Sequence, residues 1–361
     1  MTQRPKQDKA GAQAAPEKKK FELLPEVQAL LRAPNAERIL FIQQDRWIGY
    51  PRAREALAVM ERLFDYPDTR RPPNQLIVGE TNNGKTTLVD RFVELHLPVD
   101  DEYGQSIPVV KLDAPQSPSE DRLYNHILEH LQTSFSLRGP TDGKFFQICD
   151  LLRDMGTRVL ILDEINNSTS GTHAQREGMF NAIREISNKT RRPIILTGTF
   201  DALSALREQR QNQNRFPPLV LPKWDLETDK DFRQLLASFE ATLPLKRRSF
   251  LSSAALAPLL LVMSGGTIGE LHGLLIRAAE AAIANASERI TRTLLLALPW
   301  IPPEERDAQA SAAEYGHAAR IDYRARLKKL GHTELVDDKA AENIDAGEDP
   351  LPEETDDPQN A

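Results

Sequence analysis

Cysteine is nearly absent: the 361 residues hold one, Cys149. A single thiol excludes a disulfide framework and a thiolate zinc site. It lies in an apolar helical pattern with Phe146, Ile148, Leu151 and Leu152, which predicts a buried structural cysteine rather than a nucleophile. Long apolar runs are absent too. The nearest approach, Leu256 to Met263, is too short to span a bilayer. The N-terminus has no apolar segment of the signal-peptide kind. These absences lead to the expectation of a cytoplasmic protein with no membrane partner. Neither charge sign dominates, with 46 Lys and Arg against 53 Asp and Glu and a net charge of −7. What remains is 40% hydrophobic and 27% charged, enough for a sizeable core. The length leaves room for two domains plus tails.

What is present is a phosphate-binding signature. Gly79-Glu80-Thr81-Asn82-Asn83-Gly84-Lys85-Thr86 follows the apolar run Leu76-Ile77-Val78 and leads into a helical pattern from Thr87. That is the P-loop spacing with its strand before and helix after. The glycines let the backbone wrap so that successive N–H groups, Thr87 included, face phosphate oxygens at the positive end of a helix. Lys85 reaches the β- and γ-phosphates of ATP, and the Thr86 hydroxyl ligates Mg²⁺. The alternative is a plain glycine turn, but the whole motif matches with both flanks in place.

A second signature is Arg158-Val159-Leu160-Ile161-Leu162-Asp163-Glu164. A continuous apolar run suits a strand buried on both faces of a parallel sheet. Its two terminal carboxylates fall where open α/β sheets bind ligands. Asp163 is expected to hold Mg²⁺, and Glu164 to orient the attacking water for γ-phosphate hydrolysis. Another buried strand, Pro193 to Thr199, ends in hydroxyl residues. Thr199 is expected either to sense the γ-phosphate or to cap the next helix. Arg215, followed by Phe216, is a candidate arginine finger reaching a neighbour's site. A surface arginine is the alternative, and Arg207 and Arg210 are rivals.

The chain divides by pattern. Residues 1–20 are a polar, lysine-rich tail, either solvated or a basic arm. Residues 21–222 form an α/β nucleotide-binding domain with an N-terminal helical segment. There Trp47, Ile48 and Tyr50 are candidates for the slot over the adenine, with core packing as the alternative. Residues 223–300 are helical throughout and form a lid broken by Gly265-Gly266. Residues 301–333 make a C-terminal helical segment with a basic helix. Residues 334–361 are an acidic tail expected to be disordered.

An α/β P-loop domain with a terminal Asp-Glu strand, a polar sensor strand, Arg-Phe after it and a Gly-Gly helical lid resembles an AAA+ ATPase. Within that group the chain resembles the TniB/TnsC-type transposition regulators, on the TniB branch. The residues that carry the likeness are Asp45 to Pro51, Leu76 to Thr86 with Asn82-Asn83, Leu160 to Glu164, Leu196 to Thr199, Arg215-Phe216 and Gly265 to Gly269. The resemblance implies a parallel sheet flanked by helices and followed by a small helical lid. It implies ATP-bound subunits that assemble as a ring or filament on double-stranded DNA, recruit a TniA-like DDE transposase, work with a TniQ-like target-selection protein and come apart after hydrolysis. The stretch Arg138 to Lys144, with Arg138, Thr141 and Lys144, lies in a region that lines DNA in similar proteins. Lys111 is a second candidate, and solvated surface is the alternative for all four. Many AAA+ lids carry a phosphate-sensing arginine where this chain has Gly269. Here Glu270 follows, and the next arginine along the chain is Arg277. A helicase-loader ATPase and a nucleotide-independent adaptor are the competing function classes.

Overall fold

The computed structural model describes residues 23–44, 46–101, 104–207, 210–225, 229–306 and 323–329. The readings of the two tails, and of Asp45, lie outside these residues.

Helices α1 (Pro25–Leu30), α2 (Asn35–Ile42) and α3 (Pro51–Phe64) precede strand β1 (Gln75–Gly79) and helix α4 (Lys85–Leu95). A short antiparallel hairpin, β2 (Val99–Asp101) and β3 (Gly104–Ser106), leads to β4 (Val109–Asp113). Then come α5 (Glu120–His130), α6 (Thr141–Asp154), β5 (Val159–Asp163), α7 (His173–Thr190) and β6 (Ile194–Gly198). Helices α8 (Phe200–Arg207) and α9 (Arg210–Gln213) and strand β7 (Pro218–Leu221) close the α/β part. The lid holds α10 (Asp229–Glu240), α11 (Ala257–Ser264), α12 (Ile268–Ala284) and α13 (Arg292–Ala297), with α14 (Tyr323–Lys329) docked on it.

The main sheet has five strands in the order β4-β5-β6-β1-β7, all parallel. Side chains alternate across a strand, and both faces are buried. Leu76, Val78, Leu160, Leu162, Ile194 and Leu196 face a core shared with α5, α6, α7 and α8. Ile77, Val159, Ile161 and Ile195 face the opposite core, built with Met60 of α3 and Leu88 and Phe92 of α4. This explains why the strands read as unbroken apolar runs rather than alternating ones. Cys149 is fully buried on α6, and burial pushes its thiol up to about 11, as its apolar neighbours in the sequence predict.

Helix α2 and the start of α3 pack on the lid, while the rest of α3 packs under the sheet. Ile42 and Tyr50 join the core made by Trp224, Phe232, Leu235 and the α11–α12 residues. The Leu24 amide donates to the Ala241 carbonyl at 3.2 Å. The fully buried Arg38 donates from Nε to the Pro244 carbonyl at 3.0 Å and from Nη1 to Glu288 Oε1 at 2.9 Å. The sequence reading groups these helices with the nucleotide-binding domain; in the fold α3 is buried largely against its sheet, and α2 against the lid. Periodicity cannot show this, because an apolar stripe reports that a helix is buried and not by which neighbour.

Helices α11 and α12 meet at a bend of 114°. Gly266, at φ +74°, makes the turn possible: its amide plane abuts the linker, and a Cβ there would strike the Trp224 carbonyl oxygen. Among the described residues no single helix is long and apolar enough to cross a membrane.

Candidate functional site

The parallel topology brings the C-terminal ends of β1, β5 and β6 to one edge, and the predicted site residues gather there. The P-loop follows β1. Gly84 precedes α4 in the left-handed region, at φ +77°, with no side chain capping the helix. The first N–H groups of α4 are thus left for an anion. Asn82 is also left-handed, at φ +59°. The side chain of Asn83 is committed elsewhere: it is buried and donates to the Leu221 carbonyl at 2.8 Å, pinning the loop to the end of β7.

Lys85 Nζ donates to the carbonyls of Gly79 at 3.0 Å and Glu80 at 2.7 Å, so it lies folded across its own loop. Burial holds its pKa below the ordinary value, against the opposing pull of Asp163, Glu80 and Glu164. An ammonium held by carbonyls inside a turn is preorganised for phosphate oxygens.

Asp163 closes β5 and is 1% exposed. Its Oδ1 accepts from the Glu164 amide at 2.8 Å and from the buried Thr197 hydroxyl. Its Oδ2 is buried without a hydrogen-bond partner. A buried, unbonded carboxylate oxygen is costly unless a cation meets it. Asp163 and Thr86 therefore fit the hard-oxygen chemistry of Mg²⁺. Among the described residues no group of three or more His, Cys, Asp or Glu clusters for a metal. A P-loop magnesium does not need one, because phosphates complete its shell.

Glu164 is exposed at the mouth of this edge, in the left-handed region at φ +52°, and its Oε2 accepts from Asn167 at 3.0 Å. A non-glycine residue in that region stores backbone strain, which persists where a site over-determines it. Thr199 keeps its hydroxyl buried and without a hydrogen-bond partner, so the capping alternative is not what the structure contains. The hydroxyl that grips the site is Thr197, two residues earlier. Both belong to the same polar strand end, and only the neighbouring strand reveals which one meets Asp163.

Trp47, Ile48 and Tyr50 line a cleft together with Asn82, Gly84 and Thr87 of the P-loop and Ile268, Gly269 and His272 of the lid. Ligand clefts commonly have a largely apolar lining of this kind. Tyr50 also packs edge-on against Trp224, with ring centroids 5.4 Å apart. Tyr50 thus belongs to the lid core while also lining the cleft.

Two of the candidate DNA contacts have acidic partners within the chain. Lys144 is 4% exposed and ties α6 to the preceding loop and to α5, donating to the Leu137 carbonyl at 2.9 Å and to Asp121 at 2.6 Å. Lys111 points toward the nucleotide edge, where it pairs with Asp90 and lies 3.8 Å from Asp163 Oδ2. Arg138 is exposed on its loop, and Thr141 opens α6 partly buried.

Arg215 lies at the other edge of the sheet. It precedes β7, whose Pro218 pairs with Leu76 while Leu221 pairs with Gly79 at the P-loop. Its guanidinium donates to Asn188, and burial, with Arg71 and Arg184 nearby, holds its pKa below the ordinary value. It is thus remote from its own P-loop.

The comparisons bear on this geometry. The model of the family "Bacterial TniB protein" matches residues 38–226. The chain belongs to the TniB family. No curated protein matches this TniB-family chain. Among solved structures it is similar to Cdc6p from Pyrobaculum aerophilum, at 16% identity and TM-score 0.52, over 80% of this chain and 89% of that one. It is also similar to the Orc2 protein of Aeropyrum pernix, at 18% identity and TM-score 0.49, over 81% and 89%. The fold is that of an AAA+ ATPase, as the arrangement of motifs predicts.

Proposed function

We propose that this TniB-family protein is an ATP-dependent regulator of DNA transposition, which binds and hydrolyses ATP, assembles on double-stranded DNA and recruits a DDE transposase. The observation that carries the hydrolytic part is the convergence of Lys85, Asp163, Thr197 and Glu164 at one sheet edge beside the cleft lined by Ile48 and Tyr50. The family membership carries the transposition part.

In this reading the backbone N–H groups from Gly84 into α4 hold the phosphates, and Lys85 leaves its carbonyl partners to neutralise them. Thr86 and Asp163 would hold Mg²⁺, which supplies charge neutralisation at the transferring phosphoryl group. Thr197 keeps the Asp163 carboxylate in one orientation. Glu164 orients and polarises the attacking water. Thr199 faces the terminal phosphate with its unbonded hydroxyl. Arg215 serves a neighbouring subunit, a reading supported by its position away from its own P-loop.

The test is ATP turnover with and without duplex DNA, alongside electron microscopy with a non-hydrolysable ATP analogue. DNA-stimulated hydrolysis and oligomers on DNA are expected, with strong salt dependence. Monomers under all conditions would refute assembly. Transposase recruitment that survives Lys85→Ala unchanged would favour an adaptor.

A further inference from the structure

Strand β4 carries a charged residue on a face that is otherwise apolar. Side chains alternate along a strand, so Lys111 shares its face with Val109, which packs in the core under α4 together with Val159 and Ile161 of β5. The β4–β5 pairing sets Lys111 beside Ile161 and Asp113 beside Asp163. The Lys111 ammonium lies between two carboxylates: it pairs closely with Asp90 and is 3.8 Å from Asp163 Oδ2. The two acids differ in setting, for the Asp90 side chain is 51% exposed and that of Asp163 1%. The gap to Oδ2 is too long for a hydrogen bond, and Oδ2 makes none. Asp90 belongs to α4, one turn after Thr86, and residues four apart share a helix face. Thr86 and Asp163, the two residues that fit Mg²⁺, thus each have one member of the Lys111–Asp90 pair as a neighbour.

We propose that Lys111 is a resident counter-ion of Asp163 that competes with Mg²⁺ for Oδ2, and that Asp90 draws it aside, so that this pair sets the Mg²⁺ concentration at which the nucleotide site loads; the assignment rests on the nucleotide-binding reading above. An ammonium this close offsets the charge of a buried carboxylate, and a divalent cation on the same oxygen repels that ammonium. Lysine can yield without leaving the site. Its stem is flexible, and Asp90 offers it a second carboxylate. Lys111 is therefore a positioning residue: it acts through the Asp163 carboxylate and not on the nucleotide. Without Asp90, the ammonium turns to Asp163 and holds it harder. Without Lys111, Asp163 is open to Mg²⁺, but it also meets the phosphates of a metal-free nucleotide with its full charge.

The experiment titrates Mg²⁺ into the full-length protein with a mant-labelled, non-hydrolysable ATP analogue and repeats the binding in EDTA. It compares wild type, Lys111→Met, Lys111→Arg, Asp90→Asn, the Lys111→Met/Asp90→Asn double variant and Lys85→Ala. Met keeps most of the packing of the lysine stem, and thermal melts check that each variant folds. Lys111→Met is expected to lower the Mg²⁺ midpoint about tenfold and to weaken binding in EDTA. A merely structural role would move both affinities the same way. Asp90→Asn should raise the midpoint, Lys111→Arg should stay near wild type, and the double variant should match Lys111→Met. A midpoint unchanged or raised in Lys111→Met, with wild type binding the analogue and Lys85→Ala losing it, overturns the Lys111 assignment alone. A midpoint that Asp90→Asn raises even in the Lys111→Met background overturns the action of Asp90 through Lys111. If Lys111→Met does not fold, an unchanged or lowered midpoint in Asp90→Asn overturns the proposal. Wild type that binds no nucleotide overturns the nucleotide site itself.

Discussion

The Thr197 hydroxyl donates to Asp163 Oδ1 across two adjacent strands, so that the only unbonded oxygen of this buried carboxylate is Oδ2, toward the nucleotide edge. Orientation of the carboxylate proposed to hold Mg²⁺ thus depends on a threonine outside both nucleotide motifs. Thr197→Val keeps the volume and removes the donor. Leaving a buried acceptor short of a partner costs about 1–3 kcal/mol. The expected result is a loss of roughly ten- to hundredfold in ATP turnover with a higher Mg²⁺ requirement. Thr197→Ser should restore both. A Mg²⁺ titration of turnover measures the outcome, and an unchanged Mg²⁺ midpoint in Thr197→Val would remove the orienting role.

Glu164 is exposed at the mouth of the site and positioned by Asn167. Glu164→Gln is expected to retain ATP binding, abolish turnover and hold assemblies on DNA. Single-turnover hydrolysis and the lifetime of complexes on DNA measure this. Rapid hydrolysis by the variant excludes Glu164 as the residue that activates water.

Arg215 cannot serve its own P-loop from the far edge of the sheet. Arg215→Ala should leave nucleotide affinity of the isolated subunit unchanged and reduce hydrolysis in the DNA-bound assembly, by about 10³-fold or more if it acts as a finger. Comparing turnover in dilute monomer and in assembly separates the two. An unchanged assembled rate moves the role to Arg207 or Arg210.

Two of the DNA candidates make opposite predictions. Arg138→Ala is expected to weaken duplex binding and lower the salt slope by about one. Lys144→Met should leave the salt slope unchanged and lower the melting temperature, because its ammonium bridges Asp121 and Leu137 inside the fold. Binding isotherms at several salt concentrations, paired with melts, measure both. A reduced slope in Lys144→Met would return that lysine to the DNA face.

Arg38 and Glu288 hold α2 on the lid. Burial raises the Glu288 pKa, but hydrogen bonds from Arg38 and the Lys246 amide outweigh it, and the net position is below the ordinary 4.5. A carboxylate depressed on folding contributes stability that is fully present above its unfolded pKa and is lost as pH falls through its folded one. Acid should therefore destabilise the lid below about pH 4.5, and Glu288→Gln should flatten that part of the curve. Arg38→Met strands a carboxylate that is 14% exposed, and should cost about 3 kcal/mol. Melting temperature against pH for both variants provides the measurement.

Much of this was legible in the residues. The P-loop, the Asp163-Glu164 strand end and the apolar strand runs identify themselves, because their chemistry is set by neighbours in sequence: a turn, a helix start, a buried strand. Those local patterns determined the AAA+ fold, the nucleotide edge and the helical lid. Pairings between distant segments were not legible. Lys111 and Lys144 are basic residues in plausible places, and only the fold shows that acids at positions 90 and 121 pair with them. Thr197 and Thr199 look equivalent until β6 lies beside β5. The lid has no arginine near Gly269 in sequence, yet Arg306 reaches Glu270 and, through it, Asn82. Helix and strand periods record which face of an element is buried, whereas partners across a cleft are chosen by packing of elements far apart in the chain, and that is where the tertiary structure decided the site.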